Sequence, residues 1–190
     1  MHQYIGTILA GGQSSRFGEH KAFARRKNKF FYQYSIEALQ AITPKIYLVS
    51  HPAITDRFID KEVTIIQDTP SFQGYGPLAG IYSVMEREQA EWYFVLPIDS
   101  PFITHQSMEV LLAHLEDGYE AIVPIVNEKP QPLISIYNFK IKKKLFSALK
   151  SQDLSMNSLL TQLHVKFVEE FNEDSFININ EQRDYIKFIT

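Results

Sequence analysis

The sequence predicts an α/β fold, a three-layer α/β/α sandwich built around a mostly parallel sheet. Short apolar runs that end in polar loops recur along the chain, at residues 5–9, 46–49, 63–66, 92–96 and 121–126. Segments with helical periodicity fall between these runs, and strands that alternate with helices form parallel β-α-β units. Because the chain shows no internal repeat, low-complexity tract or linker, we expect one domain over residues 1–190.

The helices follow from apolar periodicity and from residues typical of helix ends. In the first helix, predicted over residues 30–41, Phe31 and Leu39 lie on one apolar face. A third helix begins after Thr104, a suitable N-cap, and ends at Asp117-Gly118. The remaining helices are predicted over residues 78–89, 141–149 and 156–163 and after residue 180, and two further strands over residues 133–137 and 165–171.

The composition excludes several classes of function. With 45% hydrophobic and 22% charged residues the chain resembles ordinary globular proteins, and no run approaches the ~20 apolar residues of a membrane span. The N-terminus leads directly into a strand instead of a signal peptide, so we expect a cytoplasmic protein without a membrane partner. The absence of cysteine excludes disulfides, thiolate metal sites and cysteine nucleophiles. A net charge of -3 gives no indication of a nucleic-acid partner.

The most informative segment is residues 4–21, YIGTILAGGQSSRFGEHK, which predicts a strand followed by an anion-binding loop. Gly11 and Gly12 lack a Cβ, so the backbone can adopt positive φ and bring its N–H groups close to a ligand. Arg16 and Lys21 add full positive charges, which suit a polyphosphate better than a single carboxylate. Neither the dinucleotide motif G-x-G-x-x-G nor the Walker A motif is present. A glycine turn with solvated basic residues is the alternative interpretation.

Two carboxylates follow later strands of the predicted sheet. Asp68 follows the third strand and Asp99 the fourth, and ligands of open α/β sheets bind at the carboxyl ends of strands. A carboxylate beside a polyphosphate favours a bridging Mg²⁺, and we predict Asp99 as the metal ligand. Asp99 is also compatible with an Asx turn. Asp68 is compatible with a loop cap and with an acceptor for a base or ribose.

The segment GYGPLAG, residues 74–80, lies between these carboxylates and places almost no side chain on the first turn of the second helix. Gly76, Pro77 and Leu78 are therefore candidate ligand-binding residues. Close approach by a ligand and tight packing of the helix on the sheet both explain such small residues. The histidines lack H-E-x-x-H spacing and the serines lack a G-x-S-x-G elbow, so zinc sites and acyl-enzyme chemistry have no support.

Together, LAGGQSSRFGEHKAF, GPLAGIYSVM and PIDSPFIT resemble the molybdenum cofactor guanylyltransferases, and the order and spacing of the three blocks cover residues 5–104. The resemblance implies a Rossmann-like nucleotidyltransferase fold and transfer of GMP from GTP to molybdopterin with release of pyrophosphate. It implies GTP contacts at Leu9, Ala10, Gly11, Gly12, Lys21, Asp68 and Asp99, with Asp99 also binding Mg²⁺. Gly11 resembles the guanylyl-specific form, because cytidylyl relatives have alanine there. Asn178-Ile179-Asn180 resembles the segment beside molybdopterin.

The resemblance also divides the chain and assigns roles. Residues 1–104 would bind GTP and Mg²⁺, and residues 105–190 the acceptor. Arg16, Lys21 and Asp99 are the predicted catalytic residues, with the two cations offsetting charge on the α-phosphate and pyrophosphate. Other cofactor-assembly proteins are candidate partners. The chain departs from the family pattern at residues 26–29 and 131–133, which concerns the acceptor contacts. A cytidylyl- or sugar-phosphate nucleotidyltransferase and a non-catalytic nucleotide-binding subunit remain the alternatives.

Overall fold

A mixed sheet of eight strands forms the centre of the computed structural model, which describes residues 2–12 and 20–189. Its strands are β1 (His2–Ala10), β4 (Ile46–Ser50), β5 (Thr64–Ile66), β6 (Ala90–Pro97), β7 (Ala121–Val126), β8 (Lys129–Pro130), β9 (Ser135–Asn138) and β10 (Val165–Val168). A separate hairpin consists of β2 (Arg25–Arg26) and β3 (Lys29–Phe30). The described helices are α1 (Phe31–Gln40), α2 (Pro77–Arg87), α3 (His105–Ala113), α4 (Lys142–Ser151), α5 (Met156–Leu160) and α6 (Gln182–Phe188).

Alternation along the central strands creates two apolar cores, one on each face of the sheet. In β6, Trp92, Phe94 and Leu96 join one core, whereas Tyr93 and Val95 join the other. The first core packs against α1 and α3, and the second against α2, α4 and α5. Period-2 alternation with apolar residues on both faces requires helices on both sides of the sheet. The three-layer sandwich predicted from the sequence is confirmed.

The strand order places a topological switch beside β1. The order along the main path is β10-β7-β9-β6-β1-β4-β5, and β1 pairs in parallel with both β4 and β6. After β1 the chain forms β4 and β5 on one side of it. The chain then crosses to form β6 on the other side of β1. Loops diverge above such a switch and leave a crevice at the carboxyl ends of the strands.

Two strands, β8 and β9, run against the parallel majority. β9 lies antiparallel between β6 and β7, although the alternation of elements predicted parallel pairing. Only eight residues join β7 to β9, whereas a parallel crossover needs about a dozen or more. Asn127 and Glu128, with φ of 51° and 60°, form the turn between β7 and β8. The connection is thus a local hairpin and not a helical crossover.

The predicted elements agree with the structure except at their ends and in the smallest pairings. The third helix ends at Ala113 and not at Asp117-Gly118, the strand predicted over 165–171 ends at Val168, and α5 ends at Leu160. The hairpin of β2 and β3 and the short β8 were not predicted, because two-residue strands carry no periodicity. Among the described residues, none of the helices has the length and apolar character needed to cross a membrane.

Candidate active site

A cavity of about 400 Å³ opens at the carboxyl ends of the central strands. It is lined by residues from five separate parts of the sequence: Leu9, Gly11, Gly12, Lys21, Val49, His51, Asp68, Gly74, Gly76, Pro77, Gly80, Pro97, Ile98, Asp99 and Leu133. The glycine turn, both predicted carboxylates and the start of α2 therefore meet in one place. This convergence is what the strand-end argument predicts for an open α/β sheet.

Gly11 and Gly12 follow β1 directly and form part of the cavity wall. Neither adopts the positive φ that was expected; among the described residues the glycines with positive φ are Gly74, Gly76 and Gly118. Both glycines permit that conformation without adopting it. Among the residues that the structure describes, a Cβ on Gly11 would meet only the backbone nitrogen of His51, at 4.0 Å. The glycines therefore contribute open space beside the backbone.

The neighbours of this turn differ in their access to the cavity. Leu9 lines it, whereas Ala10 is 1% exposed and packs in the core on the α1 face. Because this exposure is that of the whole residue, the GTP contact predicted at Ala10 has almost no accessible surface and stays a prediction. The predicted catalytic residue Arg16 lies outside the residues that the structure describes, which omit 13–19.

Lys21 reaches the cavity from a short 3₁₀ turn (Lys21–Phe23) that is anchored by the buried side chains of Ala22 and Phe23. Its Nζ donates a hydrogen bond to Oδ1 of Asn180 at 2.9 Å and lies 3.9 Å from Oδ2 of Asp99. Burial lowers the pKa of Lys21, and the nearby carboxylates, Asp99 first, oppose this effect. The ammonium is thus held inside the site at a position where a phosphate could replace water around it.

Asp99 lies just past the end of β6, with its side chain 29% exposed at the cavity. Its carbonyl oxygen accepts a hydrogen bond from the N–H of Ile179 at 2.8 Å, which fixes the backbone. Burial raises the pKa of the Asp99 carboxyl, while Lys21 opposes that rise. A carboxylate kept partly from water gains more from a cation than an exposed one does.

Asp68 fills one of the two roles that the sequence left open for its position, that of a loop cap. Its Oδ2 accepts a hydrogen bond from the N–H of Gly74 at 3.1 Å, so it caps the loop. The same side chain lines the cavity, and burial raises its pKa while the Gly74 N–H and His51 oppose the rise. Loop closure therefore aims the carboxylate at the ligand space.

The small residues at the start of α2 have two different explanations, backbone conformation at Gly76 and tight packing on the sheet at Gly80. Gly76 is the N-cap with φ of 75°, and a Cβ there would meet open space, so its role is conformational. A Cβ on Gly80 would lie 2.6 Å from Cδ2 of Leu9, so tight packing on β1 explains this residue. Pro77 lines the cavity, but Leu78 is fully buried in the core. The whole residue Leu78 has no exposed surface, so a ligand contact there stays a prediction.

Outside the segment 74–80, five lining residues were not predicted as site residues: Val49, His51, Pro97, Ile98 and Leu133. His51 directly follows β4, and its Nδ1 accepts a hydrogen bond from the N–H of Ala53 at 3.2 Å. Its place at a strand end was the available signal, because zinc-motif spacing does not address other roles of a histidine. Leu133 belongs to the loop before β9, within the segment 131–133 that departs from the family pattern.

Asn178 and Asn180 are exposed and lie beside the cavity, not in its wall. The structure brings Asn180 to Lys21, and Oδ1 of Asn178 accepts a hydrogen bond from the hydroxyl of Ser100. Both asparagines therefore contact residues at or next to the predicted catalytic pair. Asp99 and Asp68 supply hard oxygen ligands, and no cluster of three or more metal-ligating side chains occurs within residues 2–12 and 20–189. This donor set fits a Mg²⁺ ion that keeps waters and binds substrate phosphates.

Comparison with known proteins supplies the family. A model of the MobA-like NTP transferase domain matches residues 6–166. A probable molybdenum cofactor guanylyltransferase of Bacillus anthracis is 38% identical over 193 aligned positions, covering 98% of this chain and 96% of that protein. One of Bacillus cereus is 39% identical, with 97% and 95% coverage.

Solved structures show the same fold at lower identity. The molybdopterin-guanine dinucleotide biosynthesis protein A of Archaeoglobus fulgidus superposes with a TM-score of 0.81 and 22% identity, covering 98% of this chain and 97% of that one. The bifunctional IspDF of Campylobacter jejuni has a TM-score of 0.75 and 18% identity, covering 97% of this chain and 54% of that one. With a family model that spans most of its length and relatives this similar over almost all of it, the chain belongs to the MobA-like NTP transferase family.

Proposed function

We propose that this protein is a molybdenum cofactor guanylyltransferase, which transfers GMP from GTP to molybdopterin and releases pyrophosphate. The observation that carries the proposal is the pair formed by Lys21 and Asp99, 3.9 Å apart in a cavity whose wall also includes the glycine turn. A cation for phosphate and a carboxylate for a divalent ion, beside unobstructed backbone, meet the needs of nucleotidyl transfer. Family membership and the names of the relatives support the same reaction.

Each group in the site has a definite task in this reaction. Gly11 and Gly12 leave space for the triphosphate to approach the backbone, and the N-terminus of α2, which begins at Pro77, adds the positive end of its helix dipole. Lys21 offsets charge on the α-phosphate and the departing pyrophosphate. Arg16 is proposed to share that task on the strength of the resemblance. Asp68 is proposed to accept hydrogen bonds from the base or ribose.

Asp99 is proposed to hold Mg²⁺, with Asp68 the second carboxylate of the cavity. When bound, Mg²⁺ supplies Lewis-acid stabilisation of phosphate oxygens. The acceptor is a phosphate monoester that is already ionised, so this chain needs no strong general base. Its contribution is to place the acceptor phosphate in line with the α-phosphorus and to neutralise charge.

The same proposal divides the chain. Residues 1–104 carry the groups assigned to GTP and Mg²⁺, and residues 105–190 would supply the acceptor contacts, Asn178 among them. The two halves meet at Lys21 and Asp99, which both contact the segment around residue 179.

Mass spectrometry of the product formed from GTP, Mg²⁺ and molybdopterin tests the proposal directly. We expect a guanine dinucleotide cofactor and one pyrophosphate for each product. A cytidine product formed preferentially from CTP would instead identify a cytidylyltransferase of the same fold. Nucleotide binding without pyrophosphate release would identify a non-catalytic subunit.

A further inference from the structure

Residues 178–185, which we term the C-terminal strap, contact two of the three predicted catalytic residues, Lys21 and Asp99. Lys21 donates to Asn180 at 2.9 Å, and the N–H of Ile179 donates to the carbonyl of Asp99 at 2.8 Å. These contacts join parts of the chain that are 159 and 80 residues apart in sequence, respectively. The strap also lies beyond residue 166, where the family model ends.

The strap is anchored firmly enough to hold a side chain in place. Ile179 is fully buried and packs in a small core with Ala24 and Phe31. The carboxylate of Asp184 accepts hydrogen bonds from the backbone N–H groups of Asn180 and Glu181, both at 2.9 Å. This arrangement caps α6 and fixes the backbone of Asn180 at the same time. The amide of Asn180 is therefore presented to Lys21 from a defined position.

The chemistry of an amide suits this position. An asparagine oxygen takes one of the three donor hydrogens of the Lys21 ammonium without cancelling its charge. The ammonium donates to this neutral amide and lies 3.9 Å from Oδ2 of Asp99, beyond hydrogen-bond distance. A carboxylate at residue 180 would hold the ammonium but neutralise it. Without an acceptor at residue 180, the long side chain would be freer to turn toward Asp99.

We propose that Asn180 is a positioning residue for the nucleotide, which acts by holding Lys21 in its phosphate-binding orientation. The inference rests on the proposed function, because it assumes that Lys21 binds the triphosphate. It differs from the role that the family resemblance implies for this asparagine, a contact with the acceptor. The two roles make opposite statements about GTP binding in the absence of molybdopterin.

The test is a double-mutant cycle read by calorimetric titration of GTP in the presence of Mg²⁺ and without molybdopterin. The variants are Asn180→Ala, Lys21→Met and the double variant. Asn157→Ala, on the exposed surface of α5, is the control for loss of an asparagine amide. Because one net hydrogen bond is worth a factor of about 5 in affinity, Asn180→Ala should weaken GTP binding roughly 5-fold. In the Lys21→Met background the same substitution should change GTP affinity by less than about 2-fold.

Unchanged GTP affinity in Asn180→Ala would overturn the inference and leave the acceptor role standing. Equal losses with and without Lys21 would also overturn it, since Asn180 would then act independently of the lysine. A wild-type protein that binds CTP in preference to GTP would instead contradict the proposed function. Asn180 is exposed, so each variant should retain the thermal midpoint of the wild type, which differential scanning fluorimetry verifies.

Discussion

At the scale of single residues, the site depends on charges that are held close without being fully neutralised. Asp99 and Lys21 are both largely shielded from water, with side chains 29% and 14% exposed. Burial raises the pKa of the acid and lowers that of the base, and each opposes the effect of burial on the other. Such a pair suits the proposed ligands, a metal cation at the carboxylate and a phosphate at the ammonium.

Asp99→Asn should abolish most of the activity while preserving the fold. The amide has nearly the same shape but lacks the charge that would hold Mg²⁺. Loss of one transition-state electrostatic contact typically costs ~3 kcal/mol, so kcat/KM should fall about 100-fold. Steady-state measurement of pyrophosphate release checks this, with Asp117→Asn, an exposed aspartate after α3, as the control. Turnover within a few-fold of the wild type would refute the metal assignment.

Gly11→Ala tests the choice of base. Because Gly11 lacks positive φ and a Cβ would have ordinary space, the substitution should leave the free energy of unfolding nearly unchanged. The new methyl group faces the ligand space, where one clash is worth ~1–3 kcal/mol. We expect activity with GTP to fall about 10- to 200-fold, with activity with CTP unchanged or raised. Equal losses with both nucleotides would show that Gly11 affects only the shape of the loop.

At the scale of secondary-structure elements, the close approach of α2 to β1 shapes the cavity. Gly80 allows this approach, since a Cβ there would overlap Cδ2 of Leu9, a cavity residue. Gly6 permits a similar approach on the other face, where a Cβ would lie 2.9 Å from Oγ1 of Thr43. The two glycines thus offer a matched pair, one at the site and one remote from it.

Gly80→Ala should impair GTP binding more than stability. The added methyl displaces Leu9, a flexible side chain, toward the ligand space, while alanine gains about 1 kcal/mol of helix propensity. Gly6→Ala gains no such compensation and should cost about 1–3 kcal/mol of stability through overpacking. Urea unfolding and GTP titration of both variants measure the two effects. A Gly80→Ala protein with wild-type GTP affinity would show that Leu9 moves away from the cavity.

At the scale of the whole molecule, hydrogen bonds to Glu120 tie the far end of the sheet together. Both carboxylate oxygens accept from Nζ of Lys144 in α4 at 2.7 Å, and Oε2 also accepts from the N–H of His164 before β10 at 2.9 Å. Burial alone would raise the pKa of Glu120, but these donors outweigh it and lower the pKa. The interaction therefore stabilises the fold only while Glu120 is ionised.

Glu120→Gln should lower stability near neutral pH and lose its effect in acid. A carboxyl group whose pKa is lower in the folded than in the unfolded state stabilises the fold above its unfolded-state pKa. That stabilisation is lost as pH falls through the folded-state pKa. Because the pair is partly exposed, we expect a loss of about 1 kcal/mol at pH 7. Urea unfolding at pH 7 and at pH 3 tests this, with the exposed Glu109→Gln as control. A deficit that persists undiminished at pH 3 would contradict the electrostatic explanation.

The sequence by itself determined the layers and the edge of the sheet that carries the site. Apolar runs with polar ends require a buried sheet, and the residues just past those ends, Gly11, Asp68 and Asp99, meet in one cavity because parallel strands share a carboxyl edge. These features depend on periodicity and on neighbours in the chain. They were therefore predictable without knowing any contact between distant residues.

Only the tertiary structure decided the contacts between distant residues and the direction of the unusual strand. The antiparallel insertion of β9, the packing of Gly80 on Leu9 and the place of His51 in the cavity wall depend on how elements approach one another. The hydrogen bond from Lys21 to Asn180 spans 159 residues of sequence. Such contacts form because packing of the two cores brings remote segments together. Local sequence patterns depend only on residues that are near in the chain, so they do not predict these contacts.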